Sequence, residues 1–247
     1  MSYSYYEVYT NAQRAFSGLG FPYGADEDAA YIISWLEAFN LEGIQLFSNV
    51  QKQIDGNFNG ALENSKLTNK INLEKRSSLM IGPGLIDLLN FHTLKKNEIS
   101  IEILNCSDPL FLIPLLYRGI KKNIFSKIIN QNKVYAALSI NEIYINQDLK
   151  NNNCPNFVLS LSRKEFQISS KGESLNYNIL NNNLSNGLNP NQSSWEEISD
   201  LAFRTYVPES EVSREKVLVE VMLMIKFKQD EVLLINYIKA HTRCLLI

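Results

Sequence analysis

The segment Arg204-Thr205-Tyr206-Val207-Pro208-Glu209-Ser210-Glu211-Val212-Ser213-Arg214 gathers two guanidinium groups, four hydroxyls and a proline. A guanidinium stays charged at physiological pH, and its planar N–H fork matches a carboxylate or a phosphate. The hydroxyls of Thr205, Tyr206, Ser210 and Ser213 can donate or accept and so complete a polar pocket. The chemistry predicted is recognition of a small acid, with Arg204, Thr205, Tyr206, Ser210, Ser213 and Arg214 as the ligand-binding set. The opposing reading is local self-pairing: Glu209, Glu211 and Glu215 can neutralise the arginines and pin the segment to the protein. Catalysis would need a general acid or base in the same cleft. Glu209, Glu211 and Tyr206 are the nearby candidates, and the sequence assigns no catalytic residue and no cofactor.

Other chemistry-bearing residues give weaker signals. Asp26, Glu27 and Asp28 are adjacent carboxylates, but they fall in the first turn of an expected helix, where the macrodipole favours them. His92 is alone before the last part of the chain, so no His-rich metal site and no Ser-His-Asp set can be assembled. Cys106 precedes a helix start, where a thiol pKa can fall, yet packing is the favoured role. Cys106, Cys154 and Cys244 have no metal-like spacing and read as free thiols. Gly82-Pro83-Gly84 reads as a turn and lacks the lysine of a phosphate loop. Gly18 to Gly24 follows no strand and fails the dinucleotide fingerprint. Trp35 and Trp195 read as packing residues.

These residues need elements to carry them. Ser4-x-x-Glu7 is a capping box opening a helix that ends near Gly18. Ala25, Ala29, Ile32, Ile33, Leu36 and Phe39 follow helical spacing, and Ile44, Leu46, Phe47 and Val50 mark a third helix. Residues 55–78 read as loop with short elements. Residues 99–103 alternate as a half-buried strand. Asp108-Pro109 reads as the N-cap and first residue of an apolar helix through Leu112, Leu115, Leu116 and Ile120. Strands are expected over 133–140, 142–145, 157–161, 165–169 and 175–180, and Ser194 caps a late helix. The expected fold is α+β: an N-terminal helical cap, a central antiparallel β-meander, and a late helix followed by the polar Arg-containing loop.

The bulk composition limits the function. The formal net charge is −2, from 24 basic and 26 acidic residues, which offers no concentrated basic face for nucleic acid. No window approaches the length of a membrane span, and the N-terminus lacks the pattern of a secretory leader. A cytoplasmic protein with neither nucleic-acid nor membrane partner is expected. Its oligomeric state is not readable.

Gly20-x-Pro22-x-Gly24-Ala25-x-Glu27-Asp28-Ala29, leading to Trp35-Leu36-Glu37 and Gly43, resembles the opening of a bacterial family labelled domain of unknown function 3726. Gly82-Pro83 with the apolar 109–116 stretch fits the same pattern. Arg204-Thr205-Tyr206-Val207-Pro208 with Ser213-Arg214 resembles the family's late signature. The resemblance implies no activity. It does imply a glycine-rich ending, closing with Asp, Asn and Asp, soon after the Ser-Arg pair. This chain instead continues Val217-Leu218-Val219-Glu220-Val221-Met222-Leu223-Met224-Ile225-Lys226. Codons compatible with residues 216–226 read, in the neighbouring frame, as Gly-Ala-Gly-Gly-Gly-Asp-Ala-Asn-Asp followed by a stop. The expectation is a single α+β domain over 1–216 and a frameshifted tail over 217–247. A genuine pair of C-terminal elements is the alternative, since 217–225 and 232–238 are apolar enough to join a core.

Three functional readings stay open. The first is an enzyme or enzyme accessory of small-molecule metabolism that binds an acidic metabolite. The second is a non-catalytic module that senses such a metabolite. The third is a subunit whose late motif docks a protein.

Overall fold

The capping box of Ser4 and Glu7 forms as its spacing requires. Ser4 Oγ accepts from Glu7 N at 3.2 Å, and Glu7 Oε2 accepts from Ser4 N at 2.7 Å. It opens α1 (Tyr5–Gly18), whose buried Val8, Ala12, Ala15 and Phe16 form one stripe. The structure is a computed structural model that describes residues 2–62, 69–131, 133–140, 142–151, 154–166, 174–175 and 177–206. The chain divides into two compact units, one through Thr205 and one from Tyr206, and every element described below belongs to the first.

Gly24, at φ 89°, makes the turn into α2 (Ala25–Ala38). Asp26 Oδ1 accepts from Gly24 N and Glu27 N, both at 2.9 Å, and so satisfies donors that a helix start leaves bare. The dipole reading of the acidic first turn therefore acquires a specific geometry. Most of α2 is buried, because α1, α3 (Gly43–Ile54), α4 (Ser78–Lys96) and α5 (Leu112–Ile120) all pack around it. Phe16 stacks on Phe47 of α3 with ring centroids 4.0 Å apart. Trp35 is buried against Phe39 and Tyr117, as core.

The sheet has six strands: β1 (Lys70–Asn72), β2 (Glu98–Leu104), β3 (Phe125–Asn130), β4 (Lys133–Leu138), β5 (Ile143–Ile145) and β6 (Phe157–Ser162). Their order is β1-β2-β6-β3-β4-β5. All pairings are antiparallel except β1 with β2, which is parallel. The sheet is thus central and mainly antiparallel, with β3-β4-β5 as a sequential meander and β6 inserted between β2 and β3. Ile99, Ile101 and Ile103 of β2 point into the core. Helices α4 and α5 touch both the sheet and α2, and so form the middle layer. Two short helices, α6 (Gln147–Lys150) and α7 (Tyr177–Asn186), and the late α8 (Gln192–Phe203) complete the unit.

Some local expectations differ from what is found. Gly82-Pro83-Gly84 lies inside α4 and makes no turn. A Cβ on Gly82 would sit 3.0 Å from Leu115 and 3.2 Å from Leu112, so this glycine lets α4 and α5 approach closely. Burial of that face outweighs the hydrogen bond that Pro83 removes. None of the described residues over 175–180 lies in a strand: α7 begins at Tyr177, held where Asn183 Nδ2 donates to Ala38 O at 2.9 Å. Asp108 is the N-cap residue of its own turn with Pro109 at the first position, as expected, but its side chain makes no cap bond there and instead supports the start of α4, whose N-cap is Ser77. Its carboxylate accepts from Ser77 Oγ at 2.5 Å and from Ser78 N at 2.6 Å. Glu165 and Phe166 lie in no strand, and the rest of that expected strand falls outside the described residues.

Candidate functional site

The predicted acid-binding residues begin where α8 ends. Helix α8 is N-capped by Asn191, whose Oδ1 accepts from Ser194 N at 3.2 Å. It packs on α1 and α3 through Ile198, Leu201 and Ala202. Gly18 makes the first contact possible, because a Cβ there would lie 2.4 Å from the Leu201 carbonyl oxygen. Helices α3 and α8 run parallel, joined by a polar seam. Glu197 Oε2 accepts from Ser48 Oγ at 2.5 Å and from Gln51 Nε2 at 2.8 Å. Further along both helices, Arg204 meets Asp55 at 2.8 Å.

Arg204 is the C-cap of α8. One guanidinium nitrogen, NH1, donates to Asp55 Oδ2. The side chains of Arg204 and Asp55 are 48% and 40% exposed. Nε and the second terminal nitrogen of Arg204 have no partner among the described residues. Thr205 follows with its Oγ1 donating to Ala202 O at 2.7 Å, so its hydroxyl closes the helix end. Tyr206 is half exposed. Ser210, Ser213 and Arg214, together with Glu209, Glu211 and Glu215, lie outside the described residues. The acid that holds Arg204 is one that sequence proximity did not nominate: Asp55 is 149 positions away.

At the other end of the α3/α8 seam is a cavity of about 270 Å³ lined by Glu37, Glu42, Gln45, Asn189 and Asn191. Glu37 comes from α2 and reaches the start of α3, where its Oε2 accepts from Ile44 N at 2.9 Å. It replaces the missing cap: Glu42, the N-cap residue, sits in the left-handed region at φ 52° and makes no side-chain cap bond. Burial pushes the Glu37 carboxyl above its ordinary value, and the nearby charge of Glu42 adds to this, against the Ile44 hydrogen bond. The sequence carried a trace of this arrangement in Trp35-Leu36-Glu37 and Gly43. What it could not show was that Glu37 and Gly43 serve one junction.

Two more clusters are built from distant residues. Arg118 pairs with Asp28 at 2.5 Å and lies over the Tyr31 ring at 3.7 Å. Burial is the main cause that pushes the Tyr31 hydroxyl up to about 12. Cys106 is buried with its Sγ 3.3 Å from Ser78 Oγ, and burial pushes its thiol up to about 12. That thiol is therefore packed and unactivated, and Asp108 beside it is raised by burial as well. Among the described residues, no group of three or more His, Cys, Asp or Glu is placed to hold a metal ion. No described helix is long and apolar enough to cross a membrane.

Comparison with known proteins gives a family likeness and a fold likeness. Residues 3–77 match the family described as Protein of unknown function (DUF3726). That stretch includes the Gly20 to Gly43 pattern and stops short of the Arg204 segment. No curated protein matches the sequence. A crystal structure described as that of a dehydrogenase from Sinorhizobium meliloti is similar with a TM-score of 0.55 at 8% identity. The likeness covers 82% of this chain and 99% of that chain. At so low an identity what is shared is the fold.

Proposed function

We propose that this protein binds a small acidic metabolite at the C-terminal end of α8, as an enzyme or enzyme accessory of small-molecule metabolism. The observation that carries the reading is the Arg204 guanidinium. It stands half exposed at the surface, oriented through one nitrogen by Asp55, with its remaining N–H groups unpartnered among the described residues. A carboxylate or phosphate can take that open edge in charge-assisted hydrogen bonds. Ser210, Ser213 and Arg214 join the proposal on the grounds of residue type and spacing. The fold shared with a protein described as a dehydrogenase supports an enzyme over a purely sensing module, although fold alone assigns no reaction.

A thermal-shift screen of organic acids and phosphorylated metabolites tests this directly, since a ligand that favours the folded state raises the melting temperature. At least one acid is expected to raise it in the wild type. Arg204→Ala and Arg214→Ala are each expected to weaken that acid by roughly tenfold or more. An acid that stabilises both variants as well as the wild type would place the site elsewhere. The acids that bind are then incubated with the protein and assayed for consumption, which separates an enzyme from a sensor.

A further inference from the structure

The cavity between the N-terminal ends of α3 and α8 carries a charge imbalance that the acid-binding reading leaves unused. Glu37 is 8% exposed. Its Oε2 is satisfied by Ile44 N, while Oε1 has no hydrogen-bond partner among the described residues. A second carboxylate, Glu42, lines the same space, and the other lining groups are the neutral amides of Gln45, Asn189 and Asn191. Among the described residues, no lysine or arginine lines the cavity. The N-terminal end of α3 offsets part of the Glu37 charge, but two carboxylates still leave the cavity net negative, which favours a cation that can enter.

We propose that this cavity binds a small organic cation bearing a primary ammonium group. An ammonium has three N–H donors and no acceptor. Acceptors among its lining groups are the open Oε1 of Glu37, the Glu42 carboxylate at the rim, and the amide oxygens of Gln45 and Asn189. Asn191 is largely committed, because its Oδ1 already accepts from Ser193 Oγ and Ser194 N. Size decides between an organic cation and a bare ion. A volume of about 270 Å³ far exceeds the share of one water in the liquid, about 30 Å³. Two carboxylates also fall short of the three-residue sets that would hold a metal, of which the described residues contain none. The site is distinct from Arg204, which lies at the opposite end of the same helix pair.

The experiment uses the full chain with ethanolamine as probe and ethylene glycol, nearly the same shape without the charge, as its control at matched ionic strength. Titration calorimetry and thermal shift are both read near neutral pH. Ethanolamine is expected to bind saturably and raise the melting temperature, and ethylene glycol is not. Glu37→Gln keeps an acceptor for Ile44 N and is expected to weaken ethanolamine roughly tenfold or more. Glu42→Gln changes an exposed rim residue, keeps the fold, and is expected to weaken it several-fold. Arg204→Ala is expected to leave it unchanged, so this proposal and the acid-binding reading can fail separately. Equal responses to the two probes, no response from folded wild-type protein, or undiminished binding by Glu42→Gln and a folded Glu37→Gln would overturn it.

Discussion

Glu37 and Asp108 are carboxylates that each hold the start of a helix to which they do not belong. Both are raised by burial, and for Glu37 the raised value has a measurable consequence. Between its unfolded and folded pKa values the folded protein keeps a proton that the unfolded chain has released. Stability therefore falls as pH rises from the ordinary carboxylate range to the raised value. Glu37→Gln has no such proton. Relative to wild type it is expected to gain stability as pH climbs through that window, with a slope approaching about 1.4 kcal/mol per pH unit. Urea unfolding at several pH values reads this directly, and curves that stay parallel would refute the assignment. Arg204 behaves differently. Its pair with Asp55 is half exposed and contributes at most about 1 kcal/mol. Loss of acid binding in Arg204→Ala should thus come with nearly unchanged stability, which separates a binding role from a structural one.

The junction of α2 with α3 depends on Gly43. A Cβ there would lie 2.1 Å from the Ile33 carbonyl oxygen and 2.9 Å from Glu37 N, both backbone atoms that cannot swing aside. Gly43→Ala must push α3 away from α2, breaking the Glu37–Ile44 bond and loosening the floor of the cavity. A loss of about 3 kcal/mol or more in denaturant unfolding is expected. Gly84 is the contrasting case. It lies inside α4, and an added Cβ would meet only a Leu62 methyl at an ordinary 3.8 Å. Gly84→Ala should stabilise the protein by up to about 1 kcal/mol through helix propensity. Equal effects at the two glycines would contradict this account of the packing. Both residues look alike as letters, and only the neighbour across the gap distinguishes them.

The unit through Thr205 joins a helical group around α2 to a six-stranded sheet through α4 and α5. The parts that match the DUF3726 family, residues 3–77, build α1 to α3 and the cavity wall made by Glu37, Glu42 and Gln45. The ending is a separate question with a nucleic-acid answer. Sequencing the gene across codons 216–226 is expected to show third positions that allow the glycine-rich frame ending in Asp-Asn-Asp-like residues and a stop. Codons incompatible with that frame would make residues 217–247 the native continuation. Restoring the family-like ending before any binding experiment tests whether the Arg204 segment is complete as it stands.

The capping box at Ser4, the apolar stripe of α1 and the alternation of β2 were legible because each acts through residues a few positions apart. Local sterics and hydrogen bonding decide such features before any tertiary contact forms. The anion reading of Arg204 and its neighbouring hydroxyls rests on residue type and spacing alone. The partner of Arg204, by contrast, lies 149 positions away, and the acceptor for Ser48 on α8 is equally distant. The insertion of β6 between β2 and β3, the burial of Gly82-Pro83-Gly84 within a helix, and the meeting of Glu37 with Asn189 and Asn191 in one cavity have the same origin. Each is settled by which faces are buried together when the layers close, a choice made by total apolar burial that no short window of residues contains.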